Sequence, residues 1–418
     1  MKTYCKPADV NIEDWKYNEE AVIDCFRNKR GRRDFQRLLI NTGAITKKEL
    51  VEDMLNNEFK RTLEAESEVA KMLTQDIINE NLDLKPIRQF QRVDGLTQKL
   101  RDLCQEEPKQ QVHEYIAVHA LKPLFKAKIL PTQYGSIPGK GGVAGKRKIE
   151  RLLRRKFKGK IDVVKGDVKK AYPSVRVELV MEMLRRDIGK NKKLIWYVGT
   201  IMANYPDGHL CIGGYLPAWL FNYVMSYILR FLYQQAQIRR NKRQRLVYAV
   251  VCYADDFTIY GHFTKLRKAM KQATKMAKEK FGLNIKPVWQ IYKPTTFAEE
   301  KKNALLRRAG SKKRTPGIDM MGYVIRKRYT IIRSRVFVRI RRNVLRAWRD
   351  YGKFGYVPWW RAGKIAAYKG WVKHSNSCKF SEKYKFYNLL RLCSRSAYRH
   401  GKEIANEKRI LLIAATAA

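Results

Sequence analysis

The chain has 418 residues, enough for more than one domain, and its 45% apolar content excludes general disorder. Lys and Arg number 88 against 39 Asp and Glu, a net charge of +49 that repels a compact body unless a polyanion covers it. Nucleic acid is the partner this balance predicts. The cations run through the whole chain, not one tail or amphipathic helix, which argues against a membrane surface.

Residues 1–80 read as a helical N-terminal extension, with a helix from Ile45 to Asn79 capped by Thr46. No apolar signal core follows Met1. In residues 81–160 a helix is predicted from about Lys109 to Phe125. Gln133 to Lys146 follows, with five glycines, and reads as a turning loop whose Lys140, Lys146 and backbone N–H groups suit phosphate. Residues 161–330 alternate: a strand over Ile161–Val168, helices near Val177–Arg186 and Leu216–Gln235, strands over Leu246–Ala254 and Phe257–Tyr260, then a basic helix from Thr264 to Phe281. The most apolar stretch, Tyr215–Leu232, is interrupted by Asn222, Ser226 and Arg230 and reads as a buried helix. Residues 331–418 are basic and helical. At their start Arg333, Arg335, Arg339, Arg341 and Arg342 are expected to line one face of a strand or one wall of a groove for duplex backbone. Trp348, Trp359, Trp360 and Trp371 are expected in the core of that segment. None of the seven cysteines stands at Cys-x-x-Cys spacing, which argues against a zinc site or disulfide framework and predicts a soluble protein of the reducing cytoplasm.

Asp167 closes one predicted strand, and Asp255-Asp256 form the tip of a predicted hairpin. Strands paired in one sheet would gather the three carboxylates, which repel one another without a cation. Magnesium prefers oxygen ligands, and phosphoryl transfer onto a hydroxyl uses two such ions about 3.5–4 Å apart. The segments Asp167-Val-Lys-Lys-Ala-Tyr172 and Tyr253-Ala-Asp255-Asp256 resemble, in order and spacing, the two metal-binding motifs of the reverse-transcriptase palm. The closest likeness is to the bacterial defence-associated group, over roughly residues 80–380.

That resemblance implies an α+β right-hand polymerase fold. Fingers would span 81–160, a palm of antiparallel sheet plus helices 161–330, and a helical thumb 331–418, after the extension 1–80. It implies Asp167, Asp255 and Asp256 as catalytic residues holding two Mg2+ ions, with Mn2+ a possible substitute. Tyr172 falls at the position that excludes a ribose 2′-hydroxyl. Lys99 and Arg101 resemble the fingers pair that approaches the triphosphate. Gly213 and Asn222 fit the loop and helix beneath the nucleotide, although Pro217-Ala218-Trp219 replaces the Pro-Gln-Gly of retroviral and intron-encoded enzymes. Gln133-Tyr134-Gly135 resembles the end of the fingers, and Gly282-Leu-Asn-Ile with Lys293 the next palm motif, where the lysine would protonate pyrophosphate. Gly317 to Val324 resembles the primer grip. Lys140, Lys146, Arg333, Arg335 and Arg339 would contact nucleic acid. The implied activity is RNA-directed DNA synthesis on a noncoding RNA template, from deoxynucleoside triphosphates to complementary DNA, by a compact stand-alone enzyme of antiphage defence. The alternatives are another bacterial retroelement, such as a diversity-generating element, and an RNA-binding scaffold with a vestigial polymerase fold.

Overall fold

A computed structural model describes residues 3–93, 100–157, 161–239, 242–293, 297–310 and 317–417. The N-terminal region folds as α1 (Trp15–Phe26), α2 (Arg33–Ile40), α3 (Lys47–Asn56) and α4 (Lys60–Ile78). Thr46 caps α3 through a reciprocal pair: Glu49 N–H donates to Thr46 Oγ1, and Thr46 N–H donates to Glu49 Oε2. The single helix expected over Ile45–Asn79 is instead two. Asn57 turns left-handed (φ 57°), and the Asp53 carboxylate accepts hydrogen bonds from the Thr62 N–H and hydroxyl in the first turn of α4, fixing the break. α4 buries Ala65, Val69, Leu73 and Ile77, a four-residue stripe that packs on α1.

A hairpin of β1 (Arg88–Val93) and β2 (Leu100–Gln105) leads to α5 (Pro108–Lys128). The glycine-rich stretch is loop only at its start. From Gly142 it is helix α6 (Gly142–Arg151), continued by a short π-helical turn. Then come β3 (Asp162–Asp167), α7 (Val177–Ile188), α8 (Lys192–Ala203), α9 (Tyr215–Gln234) and the small hairpin β4 (Ala236–Arg239) and β5 (Lys242–Arg245). They are followed by β6 (Ala249–Tyr253), β7 (Asp256–Gly261), α10 (Phe263–Phe281), β8 (Gln290–Tyr292) and α11 (Phe297–Arg308).

Four of these strands form one antiparallel sheet in the order β6-β7-β3-β8, a β-α-β-β-α-β path with the first strand central. Both faces are covered, and the two-residue period of the strands divides their side chains. Val164, Val250, Cys252, Phe257 and Ile259 join a core that reaches from Cys5 to Ile285, so the N-terminal helices and the sheet share one interior. Val163, Ala249, Val251 and Tyr260 face a second core with Ile149 and Leu153. α9 is buried on most of its surface between its neighbours, which explains its apolar sequence; no helix among the described residues is long and apolar enough to cross a membrane.

A three-stranded sheet of β9 (Ile318–Met320), β10 (Tyr323–Ile325) and β11 (Thr330–Ile332) joins that second core to the C-terminal helices. These are α12 (Ser334–Phe354), α13 (Trp359–Lys373), α14 (Cys378–Lys383) and α15 (Phe386–Ala417), with a core of their own around Ile340, Val344, Ile365 and Phe386. Of the arginines expected on a strand face or a groove wall, Arg333 is the N-cap of α12 and Arg335, Arg339, Arg341 and Arg342 lie on that helix, not on a strand. Arg335, Arg339, Arg342 and Arg346 recur at four, three and four residues and flank one groove. Trp371 packs between the two cores, whereas Trp359 and Trp360 stand on the surface, contrary to their expected place inside. All seven cysteines are free thiols.

The β9–β10 turn is the rigid joint to the C-terminal helices. Gly322 has φ 77°, and a Cβ there would lie 2.2 Å from the Trp371 ring. Gly322→Ala is expected to lower unfolding free energy by about 2–4 kcal/mol, from overpacking plus left-handed strain, in urea titration. A loss below about 0.5 kcal/mol would mean that the joint is soft.

Candidate functional site

Asp167 ends β3 directly opposite Asp256, the first residue of β7, on the same face of the sheet. Asp255 precedes it in the hairpin turn, and its carbonyl accepts from the Val168 N–H at 3.2 Å. The three carboxylates therefore converge from two adjacent strands, each half-buried. Burial, and next the charge of Asp256, raises the Asp255 carboxyl above its ordinary value. Burial also raises Asp256, against the opposing pull of Lys165.

Two lysines offset this crowding. Lys286 Nζ donates to Asp167 Oδ2 at 2.5 Å, and that hydrogen bond raises the lysine's own pKa. Lys165 Nζ lies 3.0 Å from Asp256 Oδ1 and also donates to the Asp319 carbonyl. Lys286 follows the Gly282-Leu-Asn-Ile segment, which runs beside the end of β3: Lys169 N–H donates to the Asn284 carbonyl and Lys286 N–H to the Asp167 carbonyl. As the side chains lie, no three His, Cys, Asp or Glu among the described residues are arranged to hold a metal ion. The donor set nevertheless suits a hard cation. It is all oxygen, and Asp167 Oδ1 is buried without a hydrogen-bond partner.

The hairpin tip is braced from behind. Ala254 adopts φ 53°, and the segment Thr132–Tyr134 runs along β6, with Tyr134 N–H donating to the Cys252 carbonyl and Cys252 N–H to that of Thr132. Gly135 must be glycine: a Cβ would lie 2.4 Å from Ala254 N. Asn222 of α9 ties this together, donating from its side chain to the Gly135 carbonyl while its own carbonyl accepts from the Gln133 amide. Three separate sequence segments thus meet behind the carboxylates.

Tyr172 sits in a short 3-10 turn after β3 and stacks on Phe221 of α9, centroids 4.8 Å apart. Burial and then the Asp255 charge push its hydroxyl up to about 12. Gly213 (φ 131°) passes so close to Cys104 of β2 that a Cβ would meet the Cys104 carbonyl oxygen at 2.4 Å. Arg101, on β2, contributes positive field at Asp255. Lys99 lies outside the described residues.

Other expected positions are not gathered here. Lys293 follows β8 at the far end of β3 from Asp167, because Tyr292 pairs with Val163; its Nζ rests 5.9 Å from the Phe263 ring. Lys286, seven residues earlier, is the lysine that reaches Asp167. Lys146 is buried, paired with Glu150 at 3.0 Å and set over the Tyr323 ring, so it presents no charge to phosphate. Lys140 is exposed and reaches the Pro131 carbonyl at 3.3 Å. Arg333 pairs with Asp319 at 2.6 Å and adds positive field at Asp256, whereas Arg335 and Arg339 belong to the α12 groove.

The N-terminus of α9, which follows Gly213 and leads to Asn222, is anchored by fully buried Glu114. Its Oε2 accepts from the Tyr215 and Leu216 N–H groups and its Oε1 from the Tyr205 hydroxyl. Burial, then the Glu106 charge, pushes the Glu114 carboxyl up to about 8, against these hydrogen bonds. The folded pKa lies above the ordinary 4.5 of a glutamate, so the stability this group allows is complete below 4.5 and is lost as pH rises toward about 8. Glu114→Gln is expected to remove a stability slope of up to about 1.4 kcal/mol per pH unit, read from urea unfolding at both ends of that window. An unchanged slope would show that Glu114 titrates normally.

No protein-family model matches the chain, and no curated protein matches its sequence.

Proposed function

We propose that the chain is an RNA-directed DNA polymerase of the reverse-transcriptase type that copies a structured noncoding RNA in bacterial antiphage defence. The observation that carries this reading is the proximity of Asp167, Asp255 and Asp256, two of them opposite each other on β3 and β7 and the third in the adjoining turn, beside an aromatic ring at Tyr172. These three residues would hold the two Mg2+ ions, with Mn2+ able to replace them. Bound there, the metals supply activation of a primer 3′-hydroxyl and neutralisation of departing pyrophosphate. The protein's own groups do the rest. Lys286 and Lys165 hold Asp167 and Asp256 in ion pairs that a bound cation would replace. Tyr172, held flat on Phe221, presents a rigid edge where a 2′-hydroxyl would stand. Arg101 supplies positive charge from the hairpin above, and Arg335, Arg339, Arg342 and Arg346 offer a groove to duplex phosphates.

A second reading, an RNA-binding scaffold with a retired polymerase fold, draws support from the same two lysines, since their ion pairs neutralise Asp167 and Asp256 without metal. Extension of a DNA primer on an RNA template, with Mg2+ and deoxynucleotides, separates the two. The parent is expected to extend, and Asp255→Asn to lose at least about a thousandfold in rate while binding RNA within about twofold of the parent. Absence of extension by the parent on its co-purified RNA would favour the scaffold. Tyr172→Ala is expected to incorporate ribonucleotides at least about tenfold more readily against deoxynucleotides, in competition assays. Unchanged discrimination would place the sugar gate elsewhere.

A further inference from the structure

The turn between α12 and α13 carries a cluster of aromatic side chains that the fold leaves outside. Phe354, Tyr356, Trp359 and Trp360 are each about half exposed, Tyr356 and Trp359 at 54%. Their neighbour Val357 is buried in the core of the C-terminal helices, so the turn is anchored and its aromatics are displayed on a fixed base. Trp359 stacks on His400 of α15, centroids 4.5 Å apart and planes within 14°. Beside them a groove of about 530 Å³ is lined by Tyr351, Tyr356, Trp359, Arg395, Arg399 and His400. Glu403 also borders it, but lies 3.6 Å from His400. Among the described residues no carboxylate pairs with Arg395 or Arg399.

This surface is separate from the cationic groove of α12. At 100° per residue Tyr351 leaves that helix about 160° away from Arg335. At 1.5 Å per residue Phe354 lies roughly 12 Å beyond Arg346, the last arginine of that groove. Exposed flat rings beside unpaired guanidinium groups, on a chain of net charge +49, match the two faces of an unpaired nucleotide: an apolar base and an anionic backbone.

We propose that this surface is a binding site for single-stranded nucleic acid. An unpaired base extends the Trp359–His400 stack, Tyr356 supports its neighbour, and Arg395 with Arg399 pairs the flanking phosphates. The site holds an unpaired segment of RNA apart from any duplex in the α12 groove, and it does not depend on chemistry at Asp255.

The test uses the full chain and two labelled probes, an oligoadenylate of about a dozen nucleotides and a blunt RNA duplex of similar length, in anisotropy titrations. Trp359→Ala and Tyr356→Ala are each expected to weaken oligoadenylate binding by about fivefold to a hundredfold and to leave duplex binding within about twofold. Trp359→Phe keeps a flat ring and is expected to restore most of the affinity. Arg399→Gln is expected to lower the salt slope for the oligoadenylate by about 1. Photocrosslinking of a 5-bromouridine oligonucleotide to the intact parent, mapped by mass spectrometry, is expected to mark residues 354–360 or 395–403. This readout stands even if a variant fails to fold. Equal losses for both probes, unchanged oligoadenylate affinity, or crosslinks confined to other segments would overturn the proposal; unchanged affinity would leave the surface to a protein partner.

Discussion

Three carboxylates crowded at one end of a strand pair are an electrostatic cost that the rest of the molecule is arranged around. Asp167 and Asp256 face each other across a strand pair, and Asp255 adjoins them in the turn. The register that fills both cores with Val163, Val164, Ile259 and Tyr260 leaves no freedom to move either strand: a one-residue slip would turn every one of these side chains to the wrong face. Packing therefore enforces a charge arrangement that electrostatics alone would scatter. Lys286 and Lys165 relieve it locally, each by an ion pair to one carboxylate.

The same logic extends outward. The hairpin tip holds its left-handed Ala254 because Gly135 lies against it, and Gly135 is fixed in turn by Asn222 of a helix buried on most sides. That helix begins where Glu114 gathers its first N–H groups in a dry interior. A chain of short contacts thus runs from the N-terminal core to the carboxylates. The N-terminal helices, which carry no candidate catalytic group, contribute to the same interior that supports the site.

Much of this was legible in the residues. The Asp-Asp hairpin is announced by apolar β-branched runs on both sides, and Thr46 with Glu49 spells a capping box. The likeness of Gln133-Tyr-Gly135 and of Asn222 to polymerase segments pointed to two places that the fold brings into contact. What was not legible depended on partners remote in sequence. The break after α3 has no Gly or Pro; it follows from Asp53 reaching Thr62. Arg335, Arg339, Arg342 and Arg346 satisfy a helical period, and the alternation of Arg333, Arg335, Arg339 and Arg341 masked it. Lys293 and Lys286 are equally plain as residues, and only the pairing of residues 284–286 with the end of β3 brings Lys286 to Asp167. Lys146 looked like a free cation because Glu150 is one helical turn away, a neighbour that matters only once α6 forms. Trp359 and Trp360 have the composition of core residues; their exposure is set by the left-handed Gly355 that ends α12 and by Val357, which takes the inward position instead.

The central claim is that these aspartates exchange lysine partners for divalent ions. Electron paramagnetic resonance of free Mn2+, titrated into the protein with a non-hydrolysable deoxynucleoside triphosphate, measures this without requiring turnover. The account predicts about one ion bound per chain above that taken by the nucleotide alone, the nucleotide's own ion being the second of the pair, and loss of that binding when Asp167→Asn and Asp255→Asn are combined. Equal Mn2+ uptake by the parent and the double variant would contradict it, and would leave Lys286 and Lys165 as the permanent partners of the cluster.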